Sequence, residues 1–274
     1  MKKIITLTVA FLIFALPVFS AKDTSSEEYL KSKKHISIVN PLAEKIVEKA
    51  ILHSLKKETK GKYKVKFEGY TLSSMKKGIF KYLEITGKKV KTKDIEIPYF
   101  NIKSASDYNW IDYNQHPIVF KSDMVFDTVT HFSENSINDA LNTEEYLKIL
   151  RKVNKRAYPM FTLNSVKVKI KNNKMYIIIG YNFPISPKEK DRTFMVSSKL
   201  KVVNNKIQTY DVAFNEAYGN LPLYKVTNLV NLLNPLNFTV KLFDDKNCDV
   251  NIEDIKIKDD IVIVNGKMYI KGDK

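Results

Sequence analysis

The sequence predicts an α+β protein built on an extended antiparallel sheet. Two observations predict it. Apolar and charged residues alternate over many short runs, as where Val166, Val168 and Ile170 interleave with Lys167, Lys169 and Lys171, which is the pattern of a strand with one dry face and one wet face. Three segments with helical patterns, starting near Asn40, Asn142 and Leu221, interrupt those runs, as strands and helices do in segregated α+β architectures.

Taken in order, Lys2 and Lys3 are followed by an uncharged, almost wholly apolar run from Ile4 to Phe19, then by the small residues Ser20 and Ala21. Charged start, apolar middle and small-residue end is the order of a secretory signal. Val18 and Ser20 suit the −3 and −1 positions of a cut before Ala21. As a helix the run would measure about 24 Å against a hydrocarbon core of about 30 Å, which favours a cleaved signal over a retained anchor. The expected organisation is a signal peptide over residues 1–20, a flexible polar leader over 21–39 and a single elongated domain over 40–274. Export to the periplasm or cell envelope follows from the signal.

Asn40 offers an N-cap and Pro41 suits the first helical position. Leu42, Ile46, Val47, Ala50, Ile51 and Leu55 fall on one stripe of the helix they open. From Lys62 the period changes to two, with Tyr63, Val65 and Phe67 on the dry face. Strands are expected over Ile79 to Ile85 and Val90 to Ile97, the latter ended by Pro98, with another extended stretch over Ile118 to Phe132. Ser133 and Asn142 are candidate caps, and Leu147, Leu150 and Val153 form the apolar side of the helix that Asn142 opens. Met175 to Phe183 returns from a turn at Asn172-Asn173, and Asn204-Asn205 joins the next two strands; asparagine tolerates the left-handed conformation of tight hairpins. A largely apolar helix runs from Leu221 to Leu233. Strands around Phe238 to Leu242, Ile252 to Ile257, Ile261 to Val264 and Met268 to Ile270 close the chain.

The composition bounds the function. Cys248 is the only cysteine, so no internal disulfide exists, and a small buried side chain is its expected role. The chain carries a formal charge of +16. A basic balance is compatible with nucleic acid, anionic lipid or an acidic wall polymer. The basic residues are nearly all lysine, the arginines being Arg151, Arg156 and Arg192, whereas base reading favours the arginine fork. Export also argues against nucleic acid as a partner. The charge reads mainly as a solvated surface, with attraction to an anionic membrane surface as a secondary expectation.

Signatures of catalysis are missing from the pattern. His35, His53, His116 and His131 make no close pair of metal-ligand spacing, and there is no Gly-rich phosphate loop or nucleophile elbow. Asp123, Asp127 and His131 are spaced four apart, but on a strand their ends lie too far apart to share one ion. Asp244-Asp245 and Asp259-Asp260 read as turn residues. No catalytic residue, metal or cofactor is expected.

Apolar surface stands out instead. Leu221, Leu223, Val226, Leu229, Val230 and Leu233 occupy more than a narrow helical stripe, and both faces of Met175 to Phe183 are apolar. Ordinary core is one reading. The other is a dry crevice, whose affinity for acyl chains would come from apolar area removed from water. Its expected lining is Phe194, Val196, Leu200, Tyr210, Val212 and Phe214 of the strands. The helix would add Val226, Leu229, Val230 and Leu233.

The C-terminal half carries a resemblance. The order LNTEEYL (141–147), VKVKIKNNKMYIIIG, FMVSSKLKVVNNKIQTYDVAF, LPLYKVTNLVNLLNPLNFTVKL and VNIEDIKIKDDIVIVNGKMYIKG, after an opening YKVKFEGYTLSSMKKGIFKYLEITGKKV, resembles the LmeA-like family of exported bacterial envelope proteins over roughly residues 40–272. The resemblance implies phospholipid binding and a tubular lipid-binding type of fold, in which a long curved sheet wraps a helix around an apolar groove. It implies no catalytic motif. The resulting expectation is a non-enzymatic lipid-binding protein. The alternatives are an envelope scaffold or chaperone acting through its sheet edges, a hydrolase, and an outer-membrane barrel whose strand pattern the helices would break.

Overall fold

The computed structural model describes residues 39–92, 95–112, 119–183, 192–214, 223–234, 236 and 248–272, with the side chains of residues 39, 40, 214 and 223–226 excepted. The expected signal, the leader up to residue 38, the strand at Phe238 to Leu242, the Asp244-Asp245 turn, His35 and His116 lie outside these residues; Val39, the last leader position, already belongs to the first helix.

Helix α1 (Val39–Glu58) precedes strand β1 (Lys60–Gly69), the short helix α2 (Leu72–Lys76) and strands β2 (Ile79–Lys91), β3 (Glu96–Ser104), β4 (Asn109–Asp112), β5 (Val119–Phe120) and β6 (Met124–Phe132). Helices α3 (Glu134–Leu141) and α4 (Glu144–Ala157) follow. Then come β7 (Thr162–Lys171), β8 (Lys174–Asn182), β9 (Arg192–Val203), β10 (Lys206–Phe214), helix α5 (Leu223–Leu232), β11 (Cys248–Lys258) and β12 (Ile261–Ile270). The α+β class is therefore as expected. Among the described residues the strands form two sheets rather than one. An eight-stranded sheet runs β11-β12-β6-β3-β2-β4-β5 with β1 paired to β2, and a four-stranded meander runs β10-β9-β8-β7. All the described pairings are antiparallel.

The turn chemistry follows the sequence. Asn172, Asn173, Asn204 and Asn205 all have positive φ between 50° and 57°, and Asp259 and Asp260 have φ of 52° and 58°, the geometry of two-residue hairpin turns that match strand twist. The expected strand at Val90 to Ile97 is instead a hairpin: β2 ends at Lys91, Thr92 Oγ1 accepts from the Ile95 amide, and β3 starts at Glu96. Pro98 does not end that strand, because β6 pairs with β3 only from Tyr99 onward and Pro98 sits where β3 has one neighbour.

Each long edge strand is met by side chains. Glu48 and Glu44 of α1 accept from the Phe67 and Gly69 amides of β1 at 3.0 and 2.9 Å. Asn138 of α3 both donates to the Val168 carbonyl and accepts from the Val168 amide on β7, at 2.9 and 2.8 Å. Glu134 accepts from Ile170 on the same edge, and Asn154 of α4 pairs in the same two-way manner with Leu163. Asn205 pairs with Val250 and Ile252 of β11. These bonds give the two-sheet arrangement a physical reason: β7 is closed by helix side chains rather than by another strand.

The same bonds rotate α1. With Glu44 and Glu48 turned to the β1 edge, Ala43, Val47, Ile51 and Leu55 are buried, whereas Leu42 and Ile46 stand 64% and 52% exposed, outside the expected apolar stripe. In α4 the cap is Thr143 rather than Asn142, so Tyr146 and Leu150 point inward and Leu147 is exposed.

Asn138→Ala is expected to cost about 1–3 kcal/mol, because it strands a buried N–H and C=O of Val168 together. Asn138→Asp should not restore it, since a carboxylate cannot donate to that carbonyl. Urea denaturation checks this; a loss within about 0.5 kcal/mol would mean that water replaces the amide.

Candidate functional site

The two inner faces meet. On β9, Phe194, Val196, Ser198, Leu200 and Val202 share the side that faces the interior, opposite Ile179, Ile177 and Met175 of β8 and Thr209 and Ile207 of β10. Across from them, Ile252 and Ile255 of β11, Val262 and Val264 of β12 and Phe132 of β6 belong to the same buried cluster. Helix α5 is fastened to the edge of β10 that lies away from β9. Asn231 Oδ1 accepts from both the Thr209 amide and its hydroxyl at 2.9 Å, and Asn234 Nδ2 donates to the Ile207 carbonyl at 3.0 Å. From below, the buried Tyr146 hydroxyl donates to the Leu233 carbonyl at 2.8 Å.

This arrangement brings together seven of the ten residues that the sequence singled out. Val196, Leu200, Val230 and Leu233 are buried in the cluster, and Phe194, Val212 and Leu229 lie half-buried at its margin. Tyr210 is a correction: it is 40% exposed on the opposite face. The Leu200–Thr209 and Val202–Ile207 pairings turn odd-numbered residues of β10 inward and set Tyr210 beside Lys199. A bulge between Tyr210 and Ala213, with Asp211 at φ 52°, then changes the phase and returns Val212 to the interior. A single alternating face read through the bulge misplaces the residue before it. The side chains of Phe214 and Val226 lie outside those described.

Two interior residues were missed. Ile207 and Thr209 share the true inward phase of β10, legible only as the odd positions after the Asn204-Asn205 turn. Ser198 is 1% exposed, and its hydroxyl has no hydrogen-bond partner among the described residues.

A second apolar zone lies on the inner face of the large sheet. Tyr63, Val65, Phe100 and Ile102, with Thr128 and Thr130, are half-buried, between the cluster under α1 and the cluster under α5. Val250 packs against both clusters. The dry face of β1 was read from the sequence, but its continuation through Phe100 and Ile102 was not.

The outer face of the large sheet is polar. Tyr82 donates to Glu84 at 3.0 Å, and Asn101 donates to both Glu84 and Thr86 at 2.8 and 3.0 Å. Burial and then the Glu84 carboxylate push the Tyr82 phenol up to about 12, and the Asn101 amide holds Glu84 below the usual carboxylate range. Asp127 and His131 share this outer face of β6. Burial lowers the His131 imidazole, which packs on Tyr99 with ring centroids 4.7 Å apart. Among the described residues, no three His, Cys, Asp or Glu side chains gather as a metal site. Cys248 is buried, in the role expected for it.

No family model, curated protein or solved structure matches the chain.

Tyr146→Phe tests the link between α4 and α5. It removes a buried hydrogen bond, for an expected loss of about 1 kcal/mol at neutral pH. Burial raises the phenol above its ordinary 10.0, so the native state keeps a proton that the unfolded chain begins to lose near pH 10. That contribution is complete below pH 10 and is lost as pH rises through the raised value. The variant should therefore lose stability less steeply above pH 10 than the parent, as read by denaturant midpoints across that range.

Proposed function

We propose that the protein is an exported, non-enzymatic lipid-binding protein of the cell envelope that holds phospholipid acyl chains against its apolar interior, for lipid transfer or envelope maintenance. The observation that carries the reading is the half-buried apolar margin where Phe194, Val212 and Leu229 surround a fully buried centre under α5. Acyl chains gain affinity from apolar area that still meets water, and these residues retain some. The resemblance to LmeA-like envelope proteins supports the same reading on the order of strands and helices alone, and the tubular form of the fold belongs to this proposal. No described helix is long and apolar enough to cross a membrane.

The scaffold alternative requires an open sheet edge. The Glu44, Glu48, Asn138 and Asn205 contacts on β1, β7 and β11 weigh against it.

Native mass spectrometry of the exported chain, purified without detergent and followed by organic extraction, is expected to yield a phospholipid in near-stoichiometric amount, and a protein mass that begins at Ala21. Leu229→Asp should lower lipid occupancy by roughly tenfold or more, the equivalent of losing one apolar contact of about 1.5–3 kcal/mol. Tyr269→Ser, on the wet face of β12, should leave it unchanged. A clean apo mass with no uptake from liposomes would make the interior ordinary core.

A further inference from the structure

We propose that the outer face of the four-stranded sheet docks onto an anionic lipid bilayer, with its lysines meeting head groups and Met195 and Ile178 entering the interface. The pairing of Lys167 with Ile178 and of Ile178 with Met195 sets these three side by side across β7, β8 and β9. The next row sets Lys169 beside Tyr176 and Ser197, and the row after it joins Lys171, Lys174, Lys199 and Tyr210. Lys167, Lys169, Lys171, Lys174, Lys199 and Lys201 are all exposed on this side. The only acid among its described residues is Asp211, which pairs with Lys199 at 2.9 Å.

The apolar residues on this face are not needed to supply the core. Met195 is 43% exposed at the end of the aliphatic row, and Tyr176 and Ile178 are half-buried beside it. The inner face of the same strands already supplies the core through Ile177, Ile179 and Val196. The outer face of the large sheet is the useful contrast. There the lysines are interspersed with Glu68, Glu84, Asp127, Glu253 and Asp254, and Lys66 and Lys267 are engaged by Glu68 and Glu253 at 2.7 and 2.8 Å. Charge of one sign is thus concentrated on the four-stranded sheet, although both wet faces are rich in lysine.

A ring of flexible cations around a small aliphatic centre matches a bilayer surface, where long lysine stems cover apolar ground while the ammonium stays in water. Each such lysine near an anionic leaflet contributes about 1 kcal/mol, or roughly fivefold in partition. A nucleic acid is the less suitable occupant. The face carries no arginine among its described residues, and its central row is aliphatic rather than a stacking platform. The surface is the reverse of the sheet whose inner side holds the proposed acyl-chain site, and the docking proposal stands without that site.

The test is sedimentation of the exported chain with vesicles of phosphatidylcholine containing phosphatidylglycerol, at low and high salt, and with vesicles of phosphatidylcholine alone. Binding is expected to need phosphatidylglycerol and to weaken with salt. The triple variant Lys167→Glu, Lys169→Glu, Lys174→Glu should lower partition by about 100-fold or more. The matched variant Lys62→Glu, Lys64→Glu, Lys103→Glu, with the same net charge but on the large sheet, should lower it by less than about tenfold. Met195→Asp should lower partition while leaving the far-ultraviolet spectrum and melting temperature unchanged. Equal losses in the two triple variants would overturn the proposal, because total charge rather than this face would then be responsible. It is equally overturned if the parent does not bind anionic vesicles, or if only a nucleic-acid fragment is retained. Lipid extraction on the same variants reads the interior independently: occupancy retained without vesicle binding separates failure of this face from failure of the acyl-chain reading.

Discussion

Both sheets depend on one constraint: the N–H and C=O groups along an edge strand that face no neighbouring strand must find partners. In this protein the partners are side chains of the elements next to each edge. Glutamates at a spacing of four on α1 serve successive outward amides of β1, Phe67 and Gly69. Carboxamides serve where both a donor and an acceptor are required, as Asn138 does at Val168 and Asn154 at Leu163. A carboxamide can imitate one rung of a ladder because it carries both functions on one planar group. These contacts fix the rotation and register of α1, α3, α4 and α5 more tightly than apolar stripes alone, since a shift of one residue would break two or more buried hydrogen bonds at once.

Once the edges are closed, each strand has only the alternation of its two faces left to satisfy. The inner faces of the two sheets face each other across β9 and β11, and Asn205, at the tip of the β9–β10 hairpin, reaches the outer edge of β11 to hold them in register. Gly266 allows a similar closeness within the β11–β12 hairpin, where a Cβ would come within 2.4 Å of the Asn251 carbonyl oxygen at the β11 bulge. The small sheet therefore shares a core with the β6, β12 and β11 end of the large one, while α1 covers the region around Phe67 and Phe80. The half-buried band from Tyr63 through Phe100 to Thr130 lies between the two covers.

The hairpins were legible because their signals are local. Two adjacent asparagines at positive φ, flanked by period-two runs, specify both the turn and the facing of the strands near it. The facing of Val196 and Leu200 followed directly. The errors arose where a non-local or singular feature intervened. Tyr210 lies next to a bulge whose only local mark is Asp211, a residue that tolerates the left-handed region but does not announce it. Leu42 and Ile46 lie on a helix whose rotation is set by hydrogen bonds to a strand about twenty residues away. The separation into two sheets depended on α3 and α4 closing an edge, which no periodicity within β7 encodes.

The exposures then decide which part of the interior has anything to offer a guest. A side chain that is already fully buried, such as Val196, Val230 or Leu233, gains nothing when an acyl chain arrives, because its apolar area has already left water. Placing a chain among such residues would require separating contacts equivalent to those it forms. The free energy available for binding resides in the residues still partly wet: Phe194, Val202, Val212 and Leu229 at one margin, and Val65, Phe100 and Ile102 on the large sheet. At about 25 cal/mol per Å² these areas would set the affinity of the proposed acyl-chain site, and Val250 packs against both clusters. On the acyl-chain proposal, the centre identified from hydrophobicity alone would be the part of the interior least able to bind, and its half-buried margins the part with binding energy left to give.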